Sequence, residues 1–436
     1  MKIKLLSRKF GLAAFLLGML CAAASAQRPG SPLPRQESLL NGLKLLMWND
    51  PAAAKVTVKI RVHAGAAFDP QGKEGAMSML ADDLFPTAEI REFYVEDLGG
   101  SLDVTTTYDY IQISATADQD KLLTLLDSLA TAVSNPAIDK ETTARLKTAQ
   151  LARIASQTGT SAYVADMAAA HRLYGSFPYG RPILGTAESV QKIDFADLID
   201  LKQRFLTADN ATVAISGNID GNLAYRAARR YLGAWLKSDK RVPSTFRQPE
   251  DPKPGMPIIN APEANKSEFR IAMRGVARAD KDNYAAAVLA KILDRRFTAT
   301  QGAKAFVRRD ANILPGIVLF GVSDWNLGRI KRDGDKIAVP VTDNYQKLYL
   351  DAAVKTEEFD AAKREIVASL AQVPVADTWL DADTYRLASG KPDTNLLQSV
   401  TIADVQRVLE RLQKEPAAYV LVFSDEKTAT APQGTN

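Results

Sequence analysis

Histidine and cysteine are nearly absent from this chain. Two histidines, His63 and His171, and one cysteine, Cys21, occur among its 436 residues. The histidines lie far apart in the sequence, and neither has a neighbouring catalytic partner, so we interpret both as structural or surface residues. No G-x-S-x-G motif is present, which argues against a Ser–His–Asp hydrolase.

Long apolar runs are also missing, except at the N-terminus. A basic segment is followed by the apolar residues 12–20 and then by Ala24, Ser25 and Ala26. This pattern is typical of a secretory signal peptide, and we predict cleavage before Gln27, with loss of residues 1–26 and of Cys21. The mature chain then has no cysteine for disulfides or thiolate metal sites. We expect a soluble, exported protein, periplasmic rather than fully secreted, with no membrane span in the mature chain.

The mature chain has no excess of either charge. Removing the four basic residues of the leader leaves 55 − 4 = 51 Lys and Arg against 51 Asp and Glu. A balanced charge gives no indication of a nucleic-acid partner.

The sequence repeats one pattern of elements. Strand-like alternation at 56–65 precedes a helical pattern, and the same order recurs from Phe269. Gly65 and Gly275 are separated by 275 − 65 = 210 positions, and Ala196 and Ala403 by 403 − 196 = 207. Two matches at nearly one offset predict a duplicated domain of roughly 200 residues.

The predicted fold class is α+β, with two homologous domains that each pack helices on one face of a mixed or antiparallel sheet. We place these domains at 39–240 and 266–428. The proline-rich segment 241–265 is predicted to be an extended linker, 27–38 an N-terminal extension and 429–436 a tail. Asn41-Gly42 predicts a hairpin turn at the start of the first sheet.

Several short motifs occur in a characteristic order. They are Leu40-Asn41-Gly42-Leu43, Val62-His63-Ala64-Gly65, the segment 98–107, Tyr174-Gly175 with 178–181, Gly185-Thr186 and Ser216-Gly217-Asn218. Together they resemble the pitrilysin/insulinase family, in particular its short two-domain members akin to mitochondrial processing peptidase subunits. The resemblance covers essentially the whole mature chain. It implies two homologous α+β domains, and active members of the family bring four such domains together around a peptide chamber.

The zinc motif of that family is degenerate in this chain. A helix carries H-x-x-E-H in active members, and Ser78, Ala81 and Asp82 stand at the three corresponding positions. The family's further glutamate ligand comes from a later helix, which resembles 141–157 and places Ala152 or Arg153 at the ligand position. No residue from 142 to 157 is acidic. We therefore expect no zinc, no other cofactor and no catalysis by this chain alone.

The adjacent Asp82 and Asp83 suggest a hard-cation site, because Ca²⁺ and Mg²⁺ prefer oxygen ligands. Neighbouring helical side chains point about 100° apart, however. We therefore favour a solvated face or a salt-bridge site for this pair.

Two segments resemble the peptide-contact regions of the family. Ser101, Leu102, Asp103, Val104 and Thr105 belong to a segment similar to the family's edge strand, where an extended peptide can add through main-chain hydrogen bonds. A plain core strand is the alternative. Arg308 resembles the family's substrate-gripping arginine, but Pro315 stands where a tyrosine is expected.

Two functions follow from these features. The first is a non-catalytic subunit that pairs with a zinc-bearing homologue with an intact H-x-x-E-H motif and contributes peptide-contact surface. The second is a stand-alone or homodimeric protein that binds extended peptides without cleaving them. A residual peptidase with unusual ligands is a third, weaker possibility.

Overall fold

The protein is represented by a computed structural model that describes residues 33–238, 246–325, 331–333, 336–338, 345, 349–388 and 394–424. The predicted signal peptide and the predicted tail lie outside the described residues. The described residues form one compact unit. Among the described residues, no helix is both long enough and apolar enough to span a bilayer.

The first half of the chain builds a six-stranded sheet with the order β1-β2-β6-β3-β5-β4. Its strands are β1 (Arg35–Ser38), β2 (Lys44–Asn49), β3 (Lys55–Val62), β4 (Ser101–Thr106), β5 (Ile111–Asp118) and β6 (Ala211–Gly217). Its helices are α1 (Ala76–Asp83), α2 (Ala88–Glu96), α3 (Leu122–Ser134), α4 (Lys140–Thr158), α5 (Ser161–Tyr174), α6 (Ala187–Gln191), α7 (Phe195–Phe205) and α8 (Gly221–Leu232).

The second half builds a five-stranded sheet with the order β7-β13-β8-β10-β9, plus a separate two-stranded ribbon. The strands are β7 (Ile258–Asn260), β8 (Ser267–Arg274), β9 (Ala305–Arg309), β10 (Ile317–Ser323), β11 (Lys331–Asp333), β12 (Lys336–Ala338) and β13 (Ala418–Phe423). The helices are α9 (Asn283–Gln301), α10 (Thr356–Leu370), α11 (Val375–Thr384), α12 (Thr394–Ser399) and α13 (Ile402–Lys414).

The two sheets have the same topology, which agrees with the predicted duplication. β2-β6-β3-β5-β4 of the first sheet corresponds, strand by strand, to β7-β13-β8-β10-β9 of the second. In both series the first pair, β2-β6 and β7-β13, is parallel. The central strand, β3 or β8, is antiparallel to both of its neighbours. β1 is an addition to the first sheet, and it pairs with β2 through the turn predicted at Asn41-Gly42. Gly42 has φ +87°, a left-handed conformation that favours glycine.

Each sheet packs its own helices on one face, as the amphipathic pattern predicts. The opposite face is covered by a helix from the other half. α5 buries Ala165, Ala169 and Leu173 in one cluster with apolar residues of the second sheet. α11 buries Ala376 and Leu380 in a cluster with apolar residues of the first sheet. This reciprocal exchange explains why central strands of both sheets are buried on both faces.

An arginine in the central strand of each sheet pairs with the helix that arrives from the other half. Arg61, which is 2% exposed, binds Asp381 of α11 at 2.6 Å. Arg270, which is 1% exposed, binds Asp166 of α5 at 2.6 Å. Each contact joins a buried charge of one sheet to the helix from the other half, so the two ion pairs help to fix the position at which each helix docks.

The end of the segment predicted as a linker belongs to the second sheet. Residues 258–260 form β7, which runs parallel to β13 with Leu421 opposite Ile258. Proline richness marks the extended part of this segment, but it does not reveal a short strand at a sheet edge. The second sheet therefore begins before residue 266.

Leu380→Ala tests the docking of α11. Leu380 is fully buried against the first sheet, so we expect the free energy of unfolding to fall by about 2–5 kcal/mol. Leu123→Ala, at a Leu on α3 that is 43% exposed, is the matched control and should cost less than about 1 kcal/mol. Urea unfolding measures both values. Equal losses in the two variants would show that α11 does not depend on the first sheet.

Candidate functional site

The helix with the degenerate motif, α1, is held rigidly at its N-terminus. Gly75 precedes it with φ +96°, and a β-carbon there would lie 2.3 Å from the carbonyl oxygen of Leu184. The buried carboxylate of Asp69 accepts hydrogen bonds from the backbone N–H groups of Gly75 (2.8 Å) and Met77 (2.7 Å). A carboxylate suits this position because the first N–H groups of a helix have no partner within the helix.

A second contact fixes α1 to α4. Gln150 is fully buried, and its amide nitrogen donates to the carbonyl oxygens of Gly75 (3.0 Å) and Leu184 (2.7 Å). Sequence reasoning singled out neither Gln150 nor Asp69. Asp69 lies six residues before Gly75, and nothing in the local pattern of Gln150 distinguishes it from a solvent-facing helical glutamine.

The degenerate motif positions form an ion pair rather than a metal centre. Ser78 and Ala81 are buried, whereas Asp82 is partly exposed and its carboxylate accepts a hydrogen bond from the guanidinium of Arg153 on α4. Arg153 is thus the residue of α4 that reaches the motif, and its neighbour Ala152 is exposed. The structure thus brings the motif helix α1 and the later helix α4 together through this ion pair.

These residues do not fit a zinc ion. A catalytic zinc needs about three nitrogen, sulfur or carboxylate ligands and a nearby base. Ser78 supplies a hydroxyl, Ala81 supplies no ligand or base, and Asp82 is paired with a cation. The positive charge of Arg153 also opposes the approach of a divalent cation. Among the residues described, no group of three or more His, Cys, Asp or Glu side chains is arranged to hold a metal.

The prediction for Asp82 and Asp83 holds for one of the two residues. Asp82 lies in a salt bridge, as expected. Asp83 is neither solvated nor in a salt bridge: it is fully buried, and both of its carboxylate oxygens lack a hydrogen-bond partner in the described part of the chain. The error arises because helical spacing shows which way a side chain points but not which neighbouring helix covers it.

The segment predicted to contact peptides is an edge strand. β4 is the last strand of the first sheet and pairs on one side with β5, Ser101 opposite Thr116. Ser101, Asp103 and Thr105 are exposed, whereas Leu102 and Val104 are partly buried against the core. The other side of β4 pairs with no strand among the described residues. Its main-chain groups there are available in the way that strand addition requires.

Arg308 lies on the corresponding edge strand of the second sheet, β9. Its guanidinium binds Asp166 of α5 at 2.7 Å, and Asp166 also binds Arg270. The Arg308 side chain remains 48% exposed. It therefore presents a partly neutralised charge to solvent, and within the described part of the chain it forms no hydrogen bond or ion pair with β4.

His63 lies in the interface between β3 and α11. Its ring nitrogens are each 3.0 Å from a threonine hydroxyl, that of Thr384 on α11 and that of Thr212 on β6. Removal from water lowers the pKa of His63 to about 4, against an opposing effect of the Asp383 carboxylate. A histidine in this environment connects two elements of the fold. His171 is exposed on α5.

Comparisons with known protein families agree with the predicted resemblance. Residues 44–187 match the family described as Insulinase (Peptidase family M16), and residues 192–302 match the one described as Peptidase M16 inactive domain. An uncharacterized zinc protease of Streptomyces coelicolor is 22% identical over 268 residues, which are 58% of this chain and 58% of that protein. A probable mitochondrial-processing peptidase subunit beta of Arabidopsis thaliana is 24% identical over 271 residues, 60% of this chain and 51% of that protein. The matched part thus spans between half and three fifths of these relatives.

Solved structures share the fold. A peptidase M16 inactive domain from Pseudomonas fluorescens has a TM-score of 0.76 at 19% identity, with 90% of this chain and 98% of that chain covered. The periplasmic protease PqqL from Escherichia coli has a TM-score of 0.68 at 14% identity, and the match covers 93% of this chain but 49% of that chain. The predicted fold class is confirmed by these structures.

The pH dependence of stability tests the role of His63. The folded state disfavours protonation between the unfolded pKa of 6.5 and the folded pKa of about 4, so its stability falls as the pH drops through this window. From pH 7.5 to pH 5.0 the unfolding free energy of the wild type should therefore fall by about 2 kcal/mol more than that of His63→Gln.

The comparison between the two proteins is essential, because other groups titrate in the same window with the opposite sign. Burial raises the pKa of Asp109 to about 6 and of Asp69 to about 7, so protonation of these groups stabilises the folded state as the pH falls. Their contribution is common to both proteins and cancels in the difference. A difference in unfolding free energy that is independent of pH would contradict the depressed pKa.

Proposed function

The chain belongs to the insulinase family, peptidase family M16, and we propose that it is a non-catalytic subunit that completes a peptidase assembly together with a zinc-bearing homologue. In this proposal the homologue supplies an intact H-x-x-E-H motif and all of the chemistry. The present chain closes the peptide chamber and contributes surface that contacts the peptide.

The observation that carries this proposal is the ion pair between Asp82 and Arg153. It places a fixed positive charge where an active member of the family would need ligands for a cation. The surrounding positions Ser78 and Ala81 are buried and contribute no further ligand. The fold around the motif is intact, since α1 is anchored by Asp69 and Gln150. A preserved scaffold with an altered centre supports a role in assembly or recognition.

The length of one structural neighbour supports pairing. The match covers 93% of this chain and 49% of the PqqL chain, so PqqL has a further half that the match does not include. A relative of this chain is named as one subunit, beta, of a mitochondrial-processing peptidase. We infer that the present chain provides one half of an assembly whose other half is a separate polypeptide.

We infer that the peptide-contact surface is the open side of β4, from Ser101 to Thr105. Strand addition uses main-chain hydrogen bonds, so it does not require the missing zinc ligands. We assign Arg308 a secondary role, the attraction of carboxylate groups of the peptide. The role is secondary because its ion pair with Asp166 partly neutralises its charge. The N-terminal leader supports export, and we propose the periplasm as the site of action.

The alternative is a protein that acts alone or as a homodimer and captures extended peptides without cleaving them. The same edge strand favours this function, and the two proposals differ in the need for a second chain. In the alternative, the isolated protein binds peptide with micromolar affinity, and no partner adds proteolysis.

Mixing experiments test the proposed pairing. The full chain is combined with exported homologues from the same organism that contain H-x-x-E-H. We expect the two chains to co-elute in size-exclusion chromatography with light scattering. The mixture should cleave a fluorogenic peptide about tenfold faster, or more, than the homologue alone. A chelator should abolish the cleavage.

An N-methylated version of the same peptide is the matched control for strand addition, because alternate N-methyl groups remove the donors that pair with β4. Pairing would be refuted by a chain that remains monomeric with every such homologue and does not change their activity. Peptide binding by that monomer, sensitive to N-methylation, would then establish the alternative.

A further inference from the structure

A cavity of about 960 Å³ lies between the C-terminal end of α5 and the extended segment 246–259. Aromatic rings form part of its wall, namely Phe68, Tyr174, Phe177, Phe205 and Phe246. The ring centroid of Phe246 is 5.5 Å from that of Phe68 and 6.1 Å from that of Phe177. Sites for small organic ligands have volumes of roughly 300–1,000 Å³ and mostly apolar walls, so this cavity is large enough to hold such a ligand.

The lining of this cavity has more basic than acidic side chains. The basic residues are Arg172, Arg181, Arg204, Arg247 and Lys253, and the acidic residues are Asp69, Glu250 and Asp251. Asp69 accepts two main-chain hydrogen bonds at the start of α1, and Asp251 forms an ion pair with Arg274 at 3.3 Å. The lining therefore has an excess of positive charge, and two of its three carboxylates are already engaged.

Arg172 of α5 lines the cavity and has no carboxylate partner among the described residues. Its side chain is half-buried, and removal from water lowers its pKa. Its Nη2 nitrogen donates to the carbonyl oxygens of residues 253, 254 and 255 at 2.7–2.9 Å. These neutral groups hold the guanidinium in place without cancelling its charge. Nε is enclosed, whereas Nη1 is open and makes no hydrogen bond in the described part of the chain.

Two further arginines of the lining keep N–H groups free. Arg181 donates from Nε and Nη2 to the carbonyl oxygen of Ser176 at 3.0 and 2.7 Å. Its Nη1 is 3.9 Å from a carboxylate oxygen of Glu74, which is too long for a hydrogen bond. Arg204 forms an ion pair with Asp200 at 3.1 Å through Nη1 alone. Both charges are partly neutralised, so Arg172 is the cation with the greatest need of a counter-ion.

We propose that this cavity binds an aromatic carboxylate, whose carboxylate pairs with the Arg172 guanidinium while its ring lies against Phe177 and Phe246. A guanidinium suits a carboxylate because charge-assisted hydrogen bonds between them are short and strong. Aromatic walls accept a further ring in tilted or edge-to-face contact. A free phosphate would leave these rings uncovered, and a neutral aromatic ligand would leave Arg172 without a counter-ion. The same chemistry occurs at the end of a polypeptide whose last residue is aromatic and in free aromatic acids.

This site is separate from the proposed peptide-contact strand. No residue of β4 lines the cavity, and neither does the ion pair of Asp82 and Arg153. The proposal does not require a second chain. Failure of the mixing experiments above would therefore leave it unchanged.

Calorimetric titration of the full chain tests the proposal. The probe is N-acetyl-L-phenylalanine, and its amide is the neutral probe of matched shape. We expect the carboxylate to bind about tenfold more tightly than the amide, or more, because only the carboxylate pairs with Arg172. Equal affinity for the two probes, or no binding of the carboxylate, would overturn the proposal.

A longer probe distinguishes the two sources of the ligand. An acetylated hexapeptide that ends in phenylalanine is prepared with a free C-terminal carboxylate and as the C-terminal amide. Any main-chain pairing with β4 is common to both forms, so the difference in affinity measures the contribution of the terminal carboxylate. A preference as large as that for N-acetyl-L-phenylalanine identifies the end of a polypeptide as the ligand. A preference confined to the short probe identifies a free aromatic acid.

Variants of Arg172 test its role as the partner of the carboxylate. Arg172→Gln should abolish the preference for the carboxylate over the amide, whereas Arg172→Lys should retain part of it. Arg226→Gln changes an exposed arginine of α8 outside the lining and is the matched control, which should bind like the wild type. Circular dichroism checks the fold, because Arg172 also holds residues 253–255. A preference that survives Arg172→Gln would contradict the assignment.

Ser176→Trp tests the cavity without removing any charge. Ser176 is an exposed residue of the lining, and its hydrogen bond to Arg181 uses the main-chain carbonyl, which the substitution keeps. A tryptophan at this position takes up space in the cavity and should weaken the binding of both short probes about tenfold. Unchanged affinity for both probes in this variant would place their binding site elsewhere and would overturn the proposal.

Discussion

The structure depends on the reciprocal docking of α5 and α11. One helix from each half of the chain packs on the free face of the other half's sheet. A buried arginine of that sheet forms an ion pair with an aspartate of the docked helix. An exposed apolar sheet face would otherwise need a partner or a membrane. Because of this exchange, the described residues of the two homologous domains pack together in one compact unit.

That scaffold makes the altered motif informative. α1 begins at a left-handed glycine capped by the buried Asp69, and Gln150 ties it to α4. Asp82, at one of the predicted motif positions on α1, forms an ion pair with Arg153 of α4. The fold is that of peptidase family M16, and the predicted motif positions do not offer a set of zinc ligands. Under the proposed function, assembly with a complementary half or recognition of peptides at β4 would use this fold.

The sequence predicted much of this fold because its main signals are periodic. The alternation at 56–65 and its repeat near Phe269 predicted two equivalent sheets, and Asn41-Gly42 predicted the first hairpin, in agreement with the structure. The exchange of helices was not predictable, because Ala165 and Leu380 show that a helix is apolar but not which sheet covers it. Burial of Asp83 escaped prediction for the same reason, since it depends on the packing of α1 against neighbouring helices. β7 was missed because three residues among prolines produce no periodicity.

Zinc binding by the purified full chain, measured by equilibrium dialysis followed by metal analysis, tests the central claim most directly. The wild type should retain far less than one zinc per chain against a weak chelator, because Asp82 is paired with Arg153 and Ser78 and Ala81 are poor or absent ligands. The variant with Ser78→His, Ala81→Glu, Asp82→His and Arg153→Glu should retain zinc at one per chain if it folds, which circular dichroism establishes. One zinc held tightly by the wild type and lost on Asp82→Ala would contradict the account.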